Sequence, residues 1–224
     1  MQTLIVILGP TGVGKTDLCI DIARHLGCEI INCDSRQLFR EIPIGTAAPT
    51  AGQQQLVRHY FVGTLSIDDY YSASRYEQDV LQFLAEQDND KTFLLSGGSM
   101  MYLDAVCNGI DDMPDIDDDI RNSLKDRLAH EGLAPLIAEL QVLDPKHWET
   151  VDKNNPRRIL HALEVCHQTG LPYSSFVGKE KPARPFKIIK IGLTRPRAEL
   201  FERINQRVLR MMEDGLEEEA RSVY

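Results

Sequence analysis

Thr3-Leu-Ile-Val-Ile-Leu8 runs directly into Gly9-Pro-Thr-Gly-Val-Gly-Lys-Thr16. The first six residues form a near-continuous apolar run, the pattern of a strand buried on both faces of a parallel sheet. The next eight, Gly9, Pro10, Thr11, Gly12, Val13, Gly14, Lys15 and Thr16, match G-x-x-x-x-G-K-[ST]. Glycines at this spacing let consecutive backbone N–H groups turn inward around an anion. A helix starting near Lys15 adds its positive end. Lys15 then reaches the outer phosphate of a ligand, and the Thr16 hydroxyl can hold Mg²⁺. A phosphate loop binds a diphosphate without saying which molecule carries it.

From Thr16 the period changes. Leu18, Ile22 and Leu26 recur every four residues and Gly27 follows as a C-cap. Glu29–Cys33 reads as a second strand, so strand, helix and strand form a right-handed βαβ unit. A Ser74-x-x-Glu77 capping box predicts a helix over 75–87. Thr92–Leu95 and Phe186–Leu193 read as two more short buried strands. The fold class expected is α/β: a P-loop NTPase-like parallel sheet flanked by helices, with an all-helical insertion. The core is read as 1–110 plus 186–224. The insertion, 111–185, shows only helical periods: Ile120/Leu124/Leu128, Leu133/Ile137/Leu140 and Ile159/Leu163. Its first nine residues, 111–119, hold six aspartates around Pro114, read as a solvated linker rather than a metal cluster.

Composition narrows the function classes. The 224 residues carry 25 Lys and Arg against 34 Asp and Glu, a net charge of −9, so any nucleic-acid contact has to be local. Such a local rise exists at 179–197, with seven basic residues and one acid, Glu180; it reads either as a track for RNA phosphates or as a soluble loop. Hydropathy offers no run of membrane-spanning length and no secretory leader at Met1, so a cytoplasmic location is expected. The five cysteines, at 19, 28, 33, 107 and 166, are scattered and read as reduced thiols serving as small hydrophobes.

P-loop enzymes commonly place an Asp after an apolar strand to hold the metal through water. The third strand here runs Phe93-Leu-Leu-Ser96-Gly-Gly-Ser99, without one. The acid stands instead at the tip of the second strand, in Cys33-Asp34-Ser35-Arg36-Gln37. Strand tips on the loop's side face the ligand crevice. Asp34 is either a base that activates an acceptor or a helix N-cap.

Further along stand Ile44-Gly-Thr-Ala47, Ser72-Ala-Ser74, Gly97-Gly-Ser99 and Asn155-Pro-Arg-Arg-Ile-Leu-His-Ala-Leu-Glu-Val165. Gly192-Leu-Thr-Arg-Pro-Arg197, Arg203-Ile-Asn-Gln-Arg207 and Met212-Glu-Asp-Gly-Leu216 follow. With the phosphate loop and Asp34-Ser-Arg-Gln-Leu38, this ordered set resembles the tRNA dimethylallyltransferases over nearly the whole chain. The resemblance implies transfer of a dimethylallyl group from dimethylallyl diphosphate to N6 of the adenine just 3′ of a tRNA anticodon. It implies a helical insertion that grips the anticodon stem-loop, and a target base flipped into a channel to meet the donor. It implies a catalytic set of Asp34, Lys15, Thr16, Ser99 and Arg207, donor diphosphate at Gly9–Thr16, and Mg²⁺ on Thr16. For tRNA it implies Asp34, Ser35, Arg36, Gln37, Ser99, Arg121, Arg157, Arg158 and His161. A monomer without an obligate protein partner is expected.

The pattern departs from the family in places: Gly97-Gly-Ser-Met-Met101 stands for the usual Gly-Gly-Thr-Gly-Leu, with Ser99 keeping the hydroxyl. Met100 stands where glycine is usual, and Ala48 where lysine is usual. The chain also stops at Tyr224 where family members continue with further helices, so a shortened chain is expected.

Two groups of arginines have readings of their own. Over 199–212, Leu200, Ile204, Val208 and Met211 make one helix face and Arg203, Arg207 and Arg210 another. That stripe is a lid over the diphosphate or a solvated face balanced by Glu199, Glu202 and Glu213; the resemblance favours Arg207 as the lid residue. In the insertion, Asn155 is a good N-cap and Pro156 suits the first helical position, which puts Arg157 and Arg158 in the first turn. Positive charge there opposes the helix dipole by about 0.3–1 kcal/mol each, and a bound anion reverses the sign. RNA phosphate is that anion, unless the aspartates of 111–119 pair with the arginines instead.

Other functions use the same loop. A small-molecule or nucleotide kinase would use Asp34 to orient an acceptor hydroxyl. A nucleotide-dependent switch would need the strand-end Asp that is absent. An enzyme prenylating free adenine nucleotides would not need a helical insertion with an arginine pair.

Overall fold

The computed structural model describes residues 1–111, 113–178 and 183–224. The elements follow as β1 (Thr3–Leu8), α1 (Lys15–Leu26), β2 (Glu29–Asn32), α2 (Ala51–Leu56), β3 (His59–Tyr60), α3 (Ala73–Ala85), β4 (Thr92–Ser96) and α4 (Met100–Asn108). Four helices come next: α5 (Asp118–Glu131), α6 (Leu133–Leu143), α7 (Pro145–Thr150) and α8 (Pro156–Thr169). The chain then returns through β5 (Lys187–Gly192), α9 (Arg197–Glu213) and α10 (Leu216–Val223). It divides into two compact units, Met1–Ile110 with Pro182–Tyr224, and Asp111–Lys181. Among the described residues no helix is long and apolar enough to cross a membrane.

The five strands are all parallel, in the order β3-β2-β4-β1-β5. One face is packed by Cys19, Ile20 and Ala23 of α1 against Ile7, Ile30 and Leu94. The other is packed by Tyr76, Val80, Leu103 and Val106 of α3 and α4 against Leu4, Ile31 and Leu95. Tyr76, fully buried, donates from its hydroxyl to the carbonyl of Asn32 at 2.7 Å and so pins α3 to the end of β2. All five cysteines are free and buried.

Several expectations need correction. β1 and β2 are not neighbours, because β4 pairs with both: Ser96 lies opposite Ile7 on one side and Asn32 on the other. The buried face of α1 is Cys19, Ile20 and Ala23, while Leu26 is 49% exposed. A strict four-residue step drifts around a helix of 3.6 residues per turn, and the residues against the sheet are the small ones. The cap of α3 is Ser72, whose hydroxyl accepts the Arg75 N–H at 3.2 Å, not Ser74. Glu77 serves elsewhere: it pairs with Arg184 and accepts the Ile110 N–H at 3.0 Å. β5 is not buried, since it is the outermost strand, with Ile189 36% and Ile191 41% exposed. Lysines at 187 and 190 suit such an edge. On α9 the inward stripe is Leu200, Ile204 and Met211, an i, i+4, i+11 set, and Val208 is 48% exposed.

The second unit is a helical cluster around Leu124, Leu136, Leu140, Ile159 and Leu163. α7 adds a short helix that the periodicity missed, capped by Asp144, which is 1% exposed. Asp144 accepts the His147 N–H at 3.0 Å, and the Ser174 N–H and hydroxyl at 2.6 and 2.8 Å. Asp117 forms the N-cap of α5. Asp112 of the aspartate run, and Lys179, Glu180 and Lys181 of the basic run, lie outside the described residues.

Candidate active site

Register builds the site. The tips of β1, β4 and β2 end level with one another and lead into the phosphate loop, Gly97-Gly98 and Asp34. In doubly wound sheets the ligand crevice lies at this end. A cleft of about 900 Å³ opens there, lined by the loop residues Thr11, Gly12, Gly14, Lys15 and Thr16, by Asp34 and Gln37, and by Gly97 and Gly98. The segment 43–48, α2 residues Gln53 and Gln54, His59, and α9 residues Arg203, Gln206, Arg207 and Arg210 complete its walls.

The Lys15 ammonium donates to the carbonyls of Gly9 at 2.8 Å and Pro10 at 3.1 Å. Partial burial holds its pKa below the ordinary lysine value; Arg207 acts in the same direction and Asp34 against it. Two arginines hold the loop from outside. Arg195 Nε donates to Val13 O at 3.0 Å and Arg203 Nε to Gly12 O at 2.6 Å. No spacing in the sequence marks Arg195; its signal is position, just past the end of β5, the strand that pairs with β1 on its outer side.

Asp34 is not a helix cap. Its Oδ1 accepts the Arg36 N–H at 3.0 Å and its Oδ2 the Gly98 N–H at 3.2 Å. β4 leaves the sheet so close to the tip of β2 that a Cβ on Gly97 would sit 2.3 Å from the Cys33 carbonyl carbon. A Cβ on Gly98 would sit 2.5 Å from Asp34 Oδ2. Only glycine permits that approach.

The other expected residues divide into groups. Ser99 caps α4; its hydroxyl accepts the Ser35 N–H and donates to Ser35 Oγ, both at 2.9 Å. Ser35, Arg36 and Ser99 therefore border Asp34 rather than line the cleft. Gln37 lines it, but its amide donates to the carbonyls of Thr46 and Ala47, both at 3.0 Å, so it braces the wall. Thr16 and Arg207 face the cleft and are exposed. Met100 is exposed, at 55%.

The remaining four belong to the helical unit. Arg157 and Arg158 are exposed in the first turn of α8, where Asn155 caps by accepting the Arg158 N–H at 3.4 Å. Among the described residues neither guanidinium makes an ion pair. Arg121 pairs with Asp118 at 3.1 Å. His161 lies 3.5 Å from Glu164 and edge-on to Tyr173.

For a metal, the described residues hold no cluster of three or more His, Cys, Asp or Glu side chains. The Thr16 hydroxyl in an anion cleft still fits Mg²⁺, which keeps several waters and takes its other ligands from phosphate oxygens.

A strand–loop–helix phosphate cradle with a carboxylate at the tip of β2, one strand beyond β4, defines a P-loop α/β protein of the group-transfer kind. Residues 37–224 match the family model described as IPP transferase, and the chain belongs to that family. It is 55% identical over 225 residues to tRNA dimethylallyltransferase 2 of Parabacteroides distasonis, covering 100% of this chain and 75% of the relative. It is 58% identical over 224 residues to tRNA dimethylallyltransferase 2 of Porphyromonas gingivalis, with the same coverage, 100% and 75%. Among solved structures, the tRNA isopentenylpyrophosphate transferase of Bacillus halodurans superposes with a TM-score of 0.64 at 32% identity, covering 100% of this chain and 70% of that one. A eukaryotic dimethylallyltransferase acting on tRNA gives 0.81 at 26% identity, covering 100% and 56%. The resemblance read from the ordered motifs is borne out.

Proposed function

We propose that the chain transfers a dimethylallyl group from dimethylallyl diphosphate to N6 of the adenine 3′-adjacent to the anticodon in tRNA. The observation that carries this reading is the Asp34 carboxylate in one cleft with the phosphate loop, in a chain whose full length aligns with tRNA dimethylallyltransferases.

The chemistry needs two things. An exocyclic adenine amine is a weak nucleophile because its lone pair is delocalised, so a proton acceptor has to stand near N6. An allylic diphosphate leaves readily once its charge is neutralised. The backbone N–H groups of the Gly9–Thr16 loop, Pro10 excepted, and the Lys15 ammonium hold the diphosphate, and Arg207, with Arg203 and Arg210 beside it, covers it. Mg²⁺ held by Thr16 supplies further charge neutralisation when bound. N6 attacks C1 of the allyl group, the C–O bond to diphosphate breaks, and the N6 proton passes to Asp34. Ser99 and Ser35 hold the turn that carries Asp34. Arg157 and Arg158 bind anticodon stem-loop phosphate or base, since positive charge at a helix start attracts an anion; Arg121 and His161, on the same helical unit, join them.

Incubation of anticodon stem-loop RNA with labelled dimethylallyl diphosphate, and separately with γ-labelled ATP, tests this. Prenyl label in RNA with no phosphate label supports the reading; phosphate transfer alone would assign a kinase.

A further inference from the structure

Glu219 of α10 reaches from the far end of the sequence to the wall of the cleft. Its Oε2 accepts the Ile44 N–H at 2.7 Å and its Oε1 the Gly45 N–H at 2.8 Å. A carboxylate that takes two consecutive backbone N–H groups forms a charge-assisted fork, shorter and stronger than neutral bonds. The same segment is held from its other end, where the Gln37 amide donates to Thr46 O and Ala47 O at 3.0 Å each. At the second anchor Ala47 sits at φ 50°, a left-handed conformation that alanine adopts only where surroundings impose it. Pro43, Ile44, Thr46, Ala47 and Ala48 of this segment face the cleft. The approach at Gly45 is close: a Cβ there would lie 3.2 Å from Glu219 Oε1 and from Leu216 Cδ1.

We propose that Glu219 is a positioning residue: it clamps segment 43–48 in the shape that walls the donor side of the cleft. It touches no reacting atom and acts through the loop. The substrate named here rests on the transferase reading; the clamp itself rests on geometry alone.

The test compares wild type with Glu219→Gln and Glu219→Ala. The glutamine keeps the volume but replaces one acceptor with an N–H donor that faces another N–H. Hydrogen exchange of the Ile44 and Gly45 amides should quicken at least tenfold in both variants, with melting temperatures close to wild type for glutamine. In steady-state transfer, kcat/KM for dimethylallyl diphosphate should fall about 10- to 100-fold, while KM for stem-loop RNA stays within twofold. Unchanged exchange at 44 and 45 would overturn the clamp. Faster exchange with donor kinetics within twofold of wild type would overturn its link to the donor site. A wild type that transfers no prenyl group would sink the transferase reading instead, and the exchange result would still decide the clamp.

Discussion

The backbone N–H of Gly98 donates to Oδ2 of Asp34 at 3.2 Å. Two strand tips are locked together by this contact, because β4 lies between the strands that carry the phosphate loop and the acid. The carboxylate is thus aimed by backbone, from Arg36 on one side and Gly98 on the other. Its direction owes nothing to a rotamer held by packing alone.

Asp34→Asn keeps both contacts possible in shape but removes the proton acceptor. Single-turnover transfer should drop by roughly 10²–10⁴-fold with donor binding retained. Gly98→Ala should give a comparable loss by pushing the carboxylate aside, since the new methyl would meet Oδ2 at 2.5 Å. Near-normal turnover by Asp34→Asn would remove it from the mechanism.

Lys15 places its ammonium on the phosphate loop, against Gly9 O and Pro10 O. Lys15→Ala should weaken binding of inorganic diphosphate by roughly 10- to 100-fold in calorimetry, the worth of one charge-assisted hydrogen bond. Equal affinity in the variant would mean that the backbone amides hold the anion alone.

Arg158 is exposed and caps nothing with its side chain. Arg158→Ala should lower affinity for anticodon stem-loop RNA and reduce the salt slope by about one unit, without change in melting temperature. A lower melting temperature with an unaltered slope would assign the arginine to the helix instead.

Asp144 links the helical unit to pH. Burial pushes its carboxyl up, but the hydrogen bonds from His147 and Ser174 outweigh that and leave it below the ordinary aspartate value of 3.8. The folded value is thus depressed relative to the unfolded one. The stability it contributes is complete above pH 3.8 and disappears as pH falls through the folded value. Asp144→Asn should lower the melting temperature at pH 7 and flatten its fall at low pH; parallel curves for variant and wild type would show the shift to be unimportant.

What was legible in the sequence was local. The apolar run, the glycine spacing and the change of period after Thr16 lie within contiguous residues, so β1, the phosphate loop and α1 could be read directly. Asp34 was visible because it follows a strand. Its distinction from a helix cap was not, because that depends on Gly98, which is far away in sequence. The same holds for β4 between β1 and β2, for the Arg195 and Arg203 contacts to the loop, and for Glu219 on the 43–48 segment. Each is a pairing across long separation that no periodicity encodes. Ser72 and Ser74 are two residues apart and equally good caps by type, so only the observed hydrogen bond separates them.

In the proposed reaction the Asp34 cleft alkylates one particular adenine. The most direct measurement is nuclease mapping with mass spectrometry of anticodon stem-loop RNA after incubation with enzyme and dimethylallyl diphosphate. One dimethylallyl group is expected, on N6 of the adenine 3′ of the anticodon, formed by wild type and not by Asp34→Asn. Modification of free adenine nucleotides while the stem-loop stays unmodified, or an adduct formed equally by both proteins, would contradict it.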